Sequence, residues 1–180
     1  RVRVSDTMFV GEASTLKFNN AFTVSAWDFD VRGEMELSNG DHTVTGPMTV
    51  AGELTVGNGF HTFDGDVEVG GSMTFGTGTD VINGPVRMPD SAVFIVAGTT
   101  NVTNVTVLGT LEVSGKCGLG GLAVRTGASI TFDGTTHISS SISLPSNTYT
   151  INGHVYVDGD VVVEQGALIT HDVTSSGGLS

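Results

Sequence analysis

The sequence predicts an all-β fold, a single-chain β-solenoid (β-helix) of about nine short coils, roughly 19 residues each, with three short strands per coil. Three observations predict it. The chain is poor in helix-formers and rich in residues that make strands and turns, with 26 glycines among 180 residues and only 14% charged side chains. Apolar and polar residues alternate with a period of two, the signature of a strand that buries one face. The alternation also recurs at a constant step along the chain, which marks a stacked repeat.

The step is seen in the pattern Gly-x-Φ-x-Φ, where Φ is apolar. It starts at Gly46 (Met48, Val50), Gly65 (Val67, Val69) and Gly84 (Val86, Met88), each start 19 residues after the one before. With the glycine relaxed, Trp27 (Phe29, Val31) and Thr103 (Val105, Val107) extend the same step of 19 in both directions. Further copies start at Asp6 (Met8, Val10), Gly120 (Leu122, Val124), Ser140 (Ile142, Leu144) and Gly153 (Val155, Val157). These form the first run of each coil.

A second run follows a turn position six residues past the start, held by Gly33, Gly52, Gly71, Gly109 and Gly159, with Asp90 as a turn-compatible substitute. Its apolar pairs are Met35 and Leu37, Leu54 and Val56, Met73 and Phe75, Leu111 and Val113, and Val161 and Val163. A third run is marked by an apolar residue two before the next start: Val44, Phe63, Ile82, Ile138 and Ile151. The corner glycines, Gly52 and Gly71 among them, are expected to turn the chain with positive φ, as are the Asn-Gly and Asp-Gly pairs. Pro47 and Pro85 sit just past corners, where the first residue of a strand is free of ladder duty.

Two inward side chains per run cannot hold an isolated hairpin, but equivalent runs stacked coil on coil bury a continuous column. Parallel stacking also satisfies the backbone groups along the axis. With strands ~4.8 Å apart, nine coils make a rod of roughly 43 Å. Val67, Val69, Leu54, Val56, Val155 and Val157 are expected inward, and Thr49, Glu68 and Tyr156 outward. Two departures stand out. The step from Ser140 to Gly153 is only 13, so that coil has lost its middle run or the register slips there. In the coil that starts at Gly84, Ala92 to Val96 is apolar on both faces, which makes Val93 and Ile95, or their neighbours, candidates for an outward apolar patch. The chain divides into irregular N-terminal coil(s) over 1–26, repeats over 27–172 and a flexible Ser/Gly tail over 173–180. Arg1 and the tail Ser175-Ser176-Gly177-Gly178 have the look of cut or processed ends.

Charge narrows the partners. With 7 basic and 19 acidic residues the net charge is −12, a surface that repels nucleic acid and anionic membrane. No stretch approaches bilayer-spanning length, and no signal peptide is visible. Cys117 is the single cysteine, so neither an intrachain disulfide nor a thiolate metal cluster is expected. Asn101-Val102-Thr103 and Asn104-Val105-Thr106 fit the N-glycosylation acceptor pattern, which arises readily in a Thr-rich chain.

The run Gly46-Pro-Met-Thr-Val-Ala-Gly-Glu-Leu-Thr-Val56 and the run Asn152-Gly-His-Val-Tyr-Val-Asp-Gly-Asp-Val-Val-Val163 resemble solenoid segments of phage and virus fibres. They also resemble the narrow coils of bactofilins, bacterial polymers that assemble end to end. The resemblance is periodic and covers most of the chain. It implies a structural, non-enzymatic role and carries over no functional residue, because neither family has a local catalytic motif.

Four sets of residues invite a chemical reading. Glu34 and Glu53 fall one coil apart, a spacing that suits a retaining glycosidase pair or a Ca²⁺ ion, yet no long loop follows to build a cleft. His42, His61 and Asp80 share a column, which suits a transition-metal ion, although three ligands in line along an axis are poorly placed for tetrahedral coordination. They read as a corner ladder of hydrogen-bonding side chains. Outward Thr43, Thr62 and Thr150, and Thr49 with Thr106, hint at the flat threonine arrays of ice-binding surfaces. Val81 breaks the first column and Glu68, Arg87 and Tyr156 the second, so threonine reads as a β-former on a wet face. Trp27 and Tyr156 would suit sugar stacking but lie far apart in coil number.

No catalytic, cofactor-binding or metal-ligating residue is therefore assigned, and no enzyme activity or cofactor is expected. The sequence points to a shaft or attachment element of a fibre or spike, extracellular or on a virion surface. Its expected partners are further copies or neighbouring subunits, with surface glycan a candidate, and neither nucleic acid nor membrane insertion among them. An intracellular bactofilin-like polymer and a carbohydrate-active or metal-binding solenoid are the alternatives.

Overall fold

In a computed structural model, residues 2–164, 168–169 and 173–178 are described. Among them there is no helix, and the strands pair in parallel, each with its counterpart in the next coil. The chain winds a β-solenoid with three faces. Asp28–Val31, Met48–Val50 and Val67–Val69 stack on the first face, and Phe22–Ser25, His42–Thr45 and Phe60–Asp64 on the third. The second face is a sheet of nine strands, from Thr15–Phe18 to Leu168–Ile169. Nine strands make eight steps, or roughly 38 Å at ~4.8 Å per step.

In mid-rod the third run and the following first run fuse. Thr79–Met88, Thr99–Val107 and Lys116–Val124 each pass round the corner as one strand, with a register shift between Ile82 and Pro85. Because both faces here hang on the same strands, the corner between them is set by the backbone bend and not by a loop.

Parity decides the interior. Val67, Val69, Leu54, Val56, Val155 and Val157 are buried, while Glu68 and Tyr156 are exposed and Thr49 is half-buried on the outer side. Val93 and Ile95 are likewise half-buried and outward, flanked by the buried Ala92, Phe94 and Val96.

The irregular step past Ser140 is a slip of register, and the coil keeps all three runs. Val155 and Val157 pair with Thr136 and Ile138 on the third face, Ile151 pairs with Phe132 on the second, and Val161 and Val163 pair with Ile142 and Leu144 on the first. The start after Ser140 is therefore Gly159, a step of 19, and Gly153 is not a start. Gly153-His-Val-Tyr-Val mimics a first run because inward alternation looks the same on every face.

The corner glycines are also there for a different reason. Gly52 and Gly71 do not have positive φ; Gly40, Gly46, Gly59 and Gly127 do. A Cβ on Gly52 would run into the carbonyl oxygen of Gly33, and one on Gly71 into that of Gly52. The backbone of one coil lies directly on that of the next at this corner, so the absent side chain is the requirement and not the dihedral freedom.

Within 1–26, Thr7–Val10 pairs with Asp28–Val31 and Thr15–Phe18 with Glu34–Leu37. Val173–Ser175, inside the stretch assigned to the tail, is a strand paired on His154–Val157. Arg1, 165–167, 170–172 and 179–180 of the assigned stretches lie outside the described residues.

Candidate functional site

One polar column runs inside the rod. Parallel register places Phe22, His42, His61, Asp80, Thr100, Cys117 and Thr136 on successive coils of the third face. His42, His61 and Asp80 are fully buried inside the rod. The cause is parity: His42 lies two residues before inward Val44, and His61 two before inward Phe63. His61 Nδ1 meets Asp80 Oδ1 at 2.6 Å, Thr100 Oγ1 donates to Asp80 Oδ2 at 3.4 Å, and His42 Nε2 lies 2.9 Å from the Ser38 carbonyl. The two imidazoles stack with centroids 5.3 Å apart. Burial pushes the Asp80 carboxyl up, and its hydrogen bond with His61 only partly offsets this. Burial also pushes the Cys117 thiol up to about 12, so it is a packing residue and not a nucleophile. Among the described residues no three His, Cys, Asp or Glu side chains are grouped to hold a metal ion.

Glu34 and Glu53 are register partners on the second face and both are exposed. Nothing roofs them. The rod's hollows lie elsewhere, along the bend between the third and first faces: one of ≈ 320 Å³ over Gly118 and Gly120, and one of ≈ 360 Å³ over Gly121. Missing side chains create them, with the exposed Asn101 and Asn104 on their rims. No Asp, Glu, Lys or Arg lines either of these two hollows. A third, of ≈ 380 Å³ beside Leu122 and Ser143, has Arg125 and Glu164 on its walls, a single carboxylate and not a pair. Trp27 is exposed at a corner beside Arg3 and Ser25, whereas Tyr156 belongs to a strand six coils further along.

The threonines regroup. Thr43 and Thr62 continue from Thr23, but the column then runs through Val81, Asn101, Gly118, His137 and Tyr156. Tyr156 therefore interrupts this column and not that of Thr49, which holds Asp30, Glu68, Arg87 and Thr106. Thr150 is on the second face, next to Thr131. The false start at Gly153, three residues past Thr150, was what aligned it with Thr43 and Thr62. With the register corrected, the outer side of the second face carries two ranks. Ser72, Val93, Thr110 and Ser129 stack in one, with Thr148 next in line. Thr74, Ile95, Glu112, Thr131 and Thr150 stack in the other. The chain matches no family, no curated protein and no solved structure.

Proposed function

We propose that this chain is a structural, non-enzymatic segment of a fibre or spike, a shaft or attachment element on a virion or cell surface. The observation that carries the reading is the stack: among the described residues, three faces in parallel register, with short corners and no roofed cleft. The edge before the first coil is also open. Thr7–Val10 and Thr15–Phe18 each pair on one side alone among the described residues, and Met8, Leu16, Phe18 and Phe22 are only partly covered there. An unpaired strand edge over apolar side chains invites continuation of the stack. The neighbours we propose are further copies or adjoining subunits, with surface glycan as a ligand of the attached rod. The resemblance of the Gly46 and Asn152 runs to fibre segments supports an extracellular or virion setting, and that to bactofilins supports an intracellular polymer as the second reading.

Negative-stain micrographs of the purified chain and of its native particle test the proposal. Thin, unbranched rods joined end to end, or a rod of this width within a larger spike, are expected. A compact particle combined with turnover in a glycan-hydrolysis screen would replace the structural reading with an enzymatic one.

A further inference from the structure

We propose that the second face, from Ser72 to Thr150, is an ice-binding surface. The inference rests on the attachment reading and names what is attached. Its basis is a lattice. These strands pair without a bulge, so outward side chains repeat at ~4.8 Å along the rod and at ~6.6 Å along each strand. Thr15 and Thr55 spend their hydroxyls on Glu34 and Glu53, but those of Thr74, Thr110, Thr131 and Thr150 have no partner among the described residues. Their methyl groups, with Val93 and Ile95 between them, separate the hydroxyls by apolar surface. The face is also charge-poor. Glu112 is the one ionised side chain among the ten outward positions of these five coils, in a chain of net charge −12.

Each property narrows the occupant. Five coils span four steps, or roughly 19 Å, so with a width of about 10 Å the face offers about 200 Å², well short of the roughly 800 Å² per partner of a stable protein interface. A sugar would call for an aromatic ring to stack on, and the ten positions hold none. A cation would call for more than one carboxylate. What remains is a neutral partner that is itself periodic in two dimensions and bonds through oxygen. The growth faces of ice present rows of oxygen atoms at spacings of this order. Methyl groups that fix first-shell water and hydroxyls that anchor it would give a bound layer already in register with the crystal.

The test is partition into slowly grown ice, with the full chain and three variants whose folding is checked by circular dichroism and melting temperature. Thr131→Tyr and Ser129→Tyr place a ring on the lattice, and Thr62→Tyr places one on the third face as a matched control. The wild type and Thr62→Tyr are expected to be retained in the ice, and the two lattice variants to be rejected into the liquid. Rejection of the wild type to the level of an ordinary soluble protein would overturn the proposal. So would retention of folded Thr131→Tyr or Ser129→Tyr, equal loss in Thr62→Tyr, or binding to crystalline chitin or cellulose in place of ice. Rods seen in micrographs without ice retention would sink this inference and leave the structural reading standing.

Discussion

A methyl group at Gly71 would have nowhere to go, because the Gly52 carbonyl occupies the place where its Cβ would lie. Thr74, three residues on, faces outward and is only half-buried. Gly71→Val should therefore lower stability by at least the ~1–3 kcal/mol typical of overpacking, while Thr74→Val stays within about 0.5 kcal/mol of the wild type. Equal melting temperatures for the two variants would remove the close-approach account of the corner. Cys117 offers a second check at this scale. Buried and with its thiol pushed up to about 12, it should be inert to a disulfide-exchange reagent in the native rod and react only on unfolding. Labelling of the folded chain at the rate of a free thiol would contradict its placement.

Between coils, the column His42, His61, Asp80 and Thr100 departs from the apolar pattern of the interior in four successive coils. Asp80 has its carboxyl pushed up by burial, so its contribution to stability is complete below the unfolded carboxylate value of ~3.9 and is lost as pH rises through the higher folded value. Asp80→Asn cannot ionise. Its stability relative to the wild type should rise as pH is taken from about 4 towards 7, read from denaturant midpoints. Parallel curves for the two proteins would show that Asp80 carries no such penalty. The same strands show which features the sequence discloses. The first runs from Trp27 to Val107 were legible because period-two alternation and the step of 19 agree there. The His–Asp column was readable in position but not in depth, since polar side chains suggest solvent until parity with Val44 and Phe63 is applied. In the second-face ranks the false start at Gly153 displaced Thr150 alone, while the steps of 21 from Thr74 to Ile95 and 17 from Ile95 to Glu112 break the 19-residue spacing that would have aligned the rest. A local pattern cannot say which face of the rod it belongs to; pairing with the next coil can.

Taken as a whole molecule, the rod is an object with plain sides and an open edge. Among the described residues its hollows carry at most one carboxylate, Glu164, the register pair Glu34 and Glu53 is exposed, and its buried titratable column has no exposure to solvent. The role proposed for such a body is to bear load or present a face, with stacking through the strands Thr7–Val10 and Thr15–Phe18, each paired on one side alone among the described residues, as its proposed mode of assembly. Sedimentation velocity of the purified chain across a micromolar concentration series tests this most directly. The account predicts association that grows with concentration, or a fixed complex with a neighbouring subunit drawn from the native particle. A sharp, concentration-independent monomer with no partner in that particle would contradict it.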